Sequence, residues 1–151
     1  MPFRFPLQGL LRVRETQERA ELQGLQALAA QVAAARAEIA ALDAAAEQAR
    51  RAVWEDASSG ISGAELHFSA TRESARRERR RALHAQLHER EQAQKAQLAR
   101  YLQGRQKREI LTHLRDQQLA DYEREQARQS QRQIDELFLV RQTARKTLEN
   151  P

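Results

Sequence analysis

Between residues 25 and 53 the large apolar side chains keep to one rhythm. Leu25, Leu28, Val32, Ala35, Ile39, Leu42, Ala46, Ala49 and Val53 recur in alternating steps of three and four, and every other residue in the span is alanine or polar. Alternating three-four spacing places all nine on one helix face, the seam of a coiled coil. The small alanines in it predict a close approach by the facing helix. Upstream the same register runs into Glu18 and Glu21, while Leu22 stands three residues before Leu25, which suggests a phase slip and a local change of winding near Gly24.

Punctuation divides the chain into two helices. Pro6 suits a first helical position, where its missing N–H costs nothing. The stretch "DASSGISGAEL" then supplies Gly60 for a left-handed residue after a helix end. Ser62 with Glu65 three residues later matches a capping box that opens a second helix. The expected fold is all-α: two long helices forming an antiparallel coiled-coil hairpin with unequal arms, within one elongated domain over residues 1–151. Helix 1 covers about 6–57, the turn 58–63, and helix 2 about 64–149. At the helical rise per residue the arms span roughly 78 Å and roughly 129 Å, so about 34 residues of helix 2 lack a partner from helix 1. Helix 2 also has the poorer apolar pattern. Leu83 and Leu87 are followed by no apolar side chain larger than alanine until Leu98, Tyr122 by none until Ile134, and Gly104 offers a hinge.

Composition sharpens this picture. Charged residues make up 31% of the 151-residue chain and aromatics 5%, against 40% hydrophobic residues in which alanine dominates. Such a chain can bury a thin seam but not a thick core. No cysteine is present, so disulfides and thiolate chemistry are excluded. The N-terminus has no signal-peptide core and no run of 18 apolar residues occurs, so a soluble, cytoplasmic protein is expected.

Charge is uneven. Residues 1–56 carry a balance of −1 and the remainder +6, with six arginines in "RESARRERRR" from Arg72 to Arg81. That run could bind phosphate backbones, or form a solvated helix face neutralised by Glu73 and Glu78. The second reading is preferred, because no interleaved aromatics or glycine-rich loop accompany it. His84 and His88 would share a helix face, but no HExxH motif surrounds them and a third ligand is ambiguous. No phosphate-binding loop or nucleophile elbow is present. The expectation is a protein that is not an enzyme, with no metal and no cofactor.

Two apolar clusters remain outside the seam. Trp54 precedes the turn, where it either folds over the tip onto Leu66 or Phe68 or is presented as a binding anchor. At the N-terminus Phe3, Phe5, Leu7, Leu10 and Leu11 crowd together. Neighbours on a helix differ by about 100°, so Leu10 and Leu11 cannot both enter one narrow seam.

The opening "FRFPLQGLLRVRETQE" resembles the N-terminus of the flagellar export proteins known as FliJ, with Phe3, Phe5, Leu7, Leu10, Leu11, Arg14, Glu15 and Glu18 on matching positions. Near the other end, "YEREQARQSQRQIDELFLVR" is similar to the family's C-terminal block at Tyr122, Glu125, Arg128, Gln131, Ile134, Asp135, Glu136, Leu137 and Arg141. The likeness is residue-specific at these two ends and extends over the full length in organisation. Ser130 departs from the acidic residue expected there, and the arginine run is more basic than the family pattern.

The resemblance implies a cytoplasmic component of the type III export apparatus, folded as an antiparallel hairpin, that binds the export ATPase ring and the cytoplasmic part of the membrane export gate and assists export chaperones. Phe3, Phe5, Leu7, Leu10, Leu11, Ile134, Leu137 and Arg141 are the expected contacts to the ATPase, and Trp54, Leu66 and Phe68 those to the gate. Alternatively, Phe3 and Phe5 cap the seam or cover the overhang of helix 2. The competing function is a generic coiled-coil scaffold, or a nucleic-acid-binding protein using residues 72–81.

Overall fold

The computed structural model describes residues 2–149. They form two α-helices of unequal length, α1 (Gln8–Ser59, 52 residues) and α2 (Gly63–Glu149, 87 residues), packed against each other. Residues pair across them in opposite order: Glu21 with Gln97, Arg36 with Glu91 and Asp43 with Arg80. The helices are therefore antiparallel. The chain divides into two compact units, one running from Glu18 to Gly104 and the other combining the residues up to Gln17 with those from Arg105 onward.

Both helix boundaries shift slightly from the expected ones. Pro6 lies in the turn before α1 rather than at its first helical position. There the Gln8 N–H donates to the Phe5 carbonyl at 3.2 Å, and the Leu11 N–H to that of Leu7 at 2.9 Å. At the other end Ser58 and Ser59 stay helical, their hydroxyls donating to the carbonyls of Glu55 and Asp56. The link is thus three residues, 60–62. Gly60 takes φ 96°, the left-handed conformation that stops a helix and that a side chain would strain.

Ser62 caps α2 in the expected manner. Its hydroxyl accepts from the Glu65 N–H at 3.3 Å, and the Glu65 carboxylate accepts from both the N–H and the hydroxyl of Ser62 at 2.9 Å. These bonds, the backbone one foremost, hold the Glu65 carboxyl below its ordinary pKa.

Within the 18–104 unit, all nine seam positions from Leu25 to Val53 are buried or half-buried, and Ala45 is the one other residue in that span so covered. Val32, Ala35 and Ile39 form its buried centre, together with Leu83 from α2. Toward the N-terminus burial keeps the same register, through Glu21, Glu18, Arg14 and Leu11. The suggested phase slip at Gly24 is corrected on this point: polar residues occupy the seam without displacing it. Gln97 explains Gly24, since its amide donates to the Glu21 backbone carbonyl at 3.0 Å and to the Glu21 carboxylate. A Cβ on Gly24 would stand only 3.0 Å from that amide nitrogen.

The seam of α2 is stricter than its apolar pattern suggests. Ser69, Glu73, Arg76, Arg80, Leu83, Leu87, Arg90, Gln94, Gln97, Tyr101, Gly104, Arg108, Leu111, Arg115, Gln118 and Tyr122 follow an unbroken four-three alternation, and all except Arg80 are shielded from solvent. Arginine and glutamine can fill a seam because their aliphatic stems pack while their polar heads reach the edge. The Arg90 guanidinium, for instance, donates to the Gln31 carbonyl at 3.3 Å. Gly104 is not a break, and α2 runs through it; a Cβ there would meet the Glu18 Cα at 3.9 Å. Beyond Tyr122 the covering ends, and every residue from 123 to 146 is exposed.

Candidate functional site

The N-terminal cluster divides into inward and outward members. Leu11 is fully enclosed at 0% exposure and Phe5 is buried at 8%. Phe3 is half-buried, its ring 5.7 Å from that of Tyr122 on α2 and tilted by 48°, a favourable aromatic geometry. Leu7 and Leu10 face solvent. The opening segment therefore lies on α2, and its two most buried side chains are in use within the fold. Leu10 and Leu11 separate as their 100° offset requires, one outward and one inward.

Ile134, Leu137 and Arg141 are exposed, and so are Phe138, Leu139, Val140 and Leu148. Large apolar side chains gathered on an uncovered helix make this stretch the candidate for an interaction surface. Sequence reasoning had not singled out Phe138 and Leu148. Their spacing along the helix is the signal that finds them: Phe138 stands four residues after Ile134, and Leu148 eleven after Leu137, about three full turns, so each shares a face with its counterpart.

At the turn end of the 18–104 unit, Trp54 does not fold over the tip. It is 80% exposed, and Leu66 and Phe68 are exposed as well. Val53 and Ile61, nearer the seam, are half-buried. An open groove of about 710 Å³ remains there, lined among others by Val53, Trp54, Ile61, Leu66 and Phe68.

The arginine run is largely engaged within its own unit. Arg79 pairs with Glu38 at 2.6 Å and Arg80 with Asp43 through two bonds of 2.7 and 3.3 Å, both across to α1. Arg76 and Arg77 pair with Glu73 at 3.6 and 3.3 Å. The Arg72 guanidinium lies 5.6 Å from the Phe68 ring centre, in cation–π range. Exposed ion pairs of this kind each stabilise by only about 0–1 kcal/mol, so their effect is to favour one register over another. His84 and His88 are exposed. Among the described residues no three His, Cys, Asp or Glu side chains gather as a metal site, and no helix is long and apolar enough to cross a membrane.

A family model described as "Flagellar FliJ protein" matches residues 3–148. No curated protein and no solved structure matches the chain. The chain belongs to the FliJ family and is a non-catalytic component of the flagellar export apparatus.

Proposed function

We propose that this FliJ-family chain is a stalk that couples the export ATPase to the membrane export gate from the cytoplasmic side and assists the handling of export chaperones. The observation that carries this reading is the bare stretch of α2. Residues 123–146 are exposed throughout, yet they include Ile134, Leu137 and Phe138. A soluble helix gains nothing from such residues unless something covers them. The ATPase-facing surface consists of these side chains with Arg141, joined by Leu7 and Leu10. Phe3, Phe5 and Leu11 contribute indirectly, by holding the N-terminal segment on α2. The gate-facing surface is the tip, with Trp54, Leu66 and Phe68.

Nucleic-acid binding or generic scaffolding through residues 72–81 is the weaker reading, because five of the six arginines there already have partners within the fold. The deciding experiment introduces Leu137→Asp with Phe138→Asp and measures circular dichroism beside ATPase ring assembly and turnover. Helicity should stay at the parent level while stimulation of the ATPase is lost. Parental stimulation by the helical double variant would refute the ATPase assignment. Trp54→Ala should weaken gate binding with ATPase association intact, and unchanged gate affinity would remove the tip from the proposal.

A further inference from the structure

The uncovered face of α2 is not uniformly apolar. On a helix of about 100° per residue, Ile134, Leu137, Phe138 and Leu148 fall within an arc of about 100°. Arg141 and Arg145 fall inside that arc, on either side of Ile134, rather than along its border. Both arginines are exposed, and neither has an ion-pair or hydrogen-bond partner among the described residues. The carboxylates between Ile134 and Leu148 lie off the arc: Asp135 and Glu136 fall on other faces, and Asp135 accepts from the Gln131 amide at 2.9 Å.

We infer that the surface receiving this face is a protein groove, apolar along its walls, that carries at least two carboxylates along its floor to meet Arg141 and Arg145. The inference rests on the assignment of this face to the export ATPase and adds the chemistry of the receiving site. Burying two guanidinium groups amid leucine and phenylalanine is tolerable only where each finds a charge-matched partner. Arginine is suited to that task, since its planar fork binds a carboxylate through two parallel bonds.

Two other occupants fit less well. A second copy pairing over residues 134–148 brings no carboxylate to either arginine, since neither acidic residue in that span lies on the arc, and antiparallel pairing about its middle sets Arg141 against Arg141. A lipid surface accepts amphipathic helices whose basic residues occupy the polar face, whereas here the cations sit in the apolar face.

The test uses the full-length chain and the purified export ATPase, with affinity measured over a range of salt concentrations. Leu137→Asp with Phe138→Asp should abolish binding. Arg141→Gln with Arg145→Gln should weaken it by about tenfold or more and flatten its salt dependence, because a desolvated charge pair loses its partner. Arg141→Lys with Arg145→Lys should fall between, since lysine keeps the charge but not the two-bond geometry. If the apolar double variant fails to bind while the glutamine variant binds within about twofold of the parent, the carboxylate floor is refuted and the ATPase assignment stands. If the apolar variant binds like the parent, the assignment itself fails and the inference with it. Parent binding to vesicles of phosphatidylglycerol and phosphatidylethanolamine that is lost in the glutamine variant would assign the face to lipid and overturn the proposal, as would an arginine-dependent dimer in sedimentation equilibrium.

Discussion

From Ser69 to Tyr122, α2 shields arginine, glutamine and glutamate; from Glu123 to Leu148 it leaves Ile134, Leu137 and Phe138 in water. Polarity and exposure are inverted between two stretches of one helix. The difference teaches that burial in a thin helical pair is decided by whether a second helix is present, not by the hydrophobicity of the residue. In the first stretch α1 is close enough that even arginine stems are covered. In the second no element of the described chain lies over the helix, and the apolar side chains there are the ones the proposed partner would cover.

The strongest way to break this comparison is to place the same substitution in both stretches. Leu83, at 1% exposure, sits in the buried centre. Leu83→Asp should cost at least about 3 kcal/mol, from lost burial and an unpaired charge. Leu137→Asp should change stability by no more than about 0.5 kcal/mol. Urea denaturation of both variants reads the contrast directly, and equal losses would mean that the second stretch is covered in solution. Leu11→Asp belongs with Leu83, so a variant meant to probe partner binding at the N-terminus should replace Leu7 and Leu10 and leave Leu11 untouched.

A smaller effect tests whether the paired stretch depends on its tight link. Gly60→Ala forces a side chain into the left-handed region and should destabilise by about 1–2 kcal/mol, read as a lower melting temperature. In the opposite direction, Gly104→Ala should stabilise by about 0.5–1 kcal/mol, because a helix-interior glycine is replaced. The added methyl would meet only ordinary contact at 3.9 Å. A loss there would show that the helices approach more closely than the structure has them.

The smallest effect is at the start of α2. The Glu65 carboxyl has its pKa lowered by bonds from Ser62, so its contribution is present above the ordinary carboxylate range and disappears as pH falls through the lowered value. Glu65→Ala should therefore melt slightly below the parent at neutral pH. The gap should close in acid, and a gap independent of pH would assign the effect to helix propensity alone.

The sequence is unequally legible along the same lines. The α1 seam can be read position by position because its members are aliphatic and their neighbours are not. The capping box at Ser62 and Glu65 is equally plain, since its chemistry is local. The α2 seam escapes a hydrophobicity pattern, because Arg76, Arg90, Gln97 and Arg115 register as polar although their stems pack. Gly24 looks like a place where winding changes, and it becomes intelligible only with Gln97 beside it. For the candidate surfaces, sequence cannot say that Phe5 and Leu11 turn inward while Leu10 and Leu137 do not, since that depends on which side α2 occupies.

The meeting of Phe3 with Tyr122 also has a consequence for biosynthesis. The unit from Glu18 to Gly104 is continuous in sequence, so it can zip closed from Gly60 while the last third of the chain is still being made. Its contacts form in order of increasing loop length, the sequence that entropy favours. The other unit is drawn from both ends of the chain, so Phe5 and Leu11 must wait, unshielded, for Tyr122 to emerge from the ribosome. The aromatic segment, together with the first turns of α1, is then the last part of the hairpin to find its place. Nascent chains arrested before residue 122 should show Phe5 and Leu11 open to proteases, with residues 25–53 already protected.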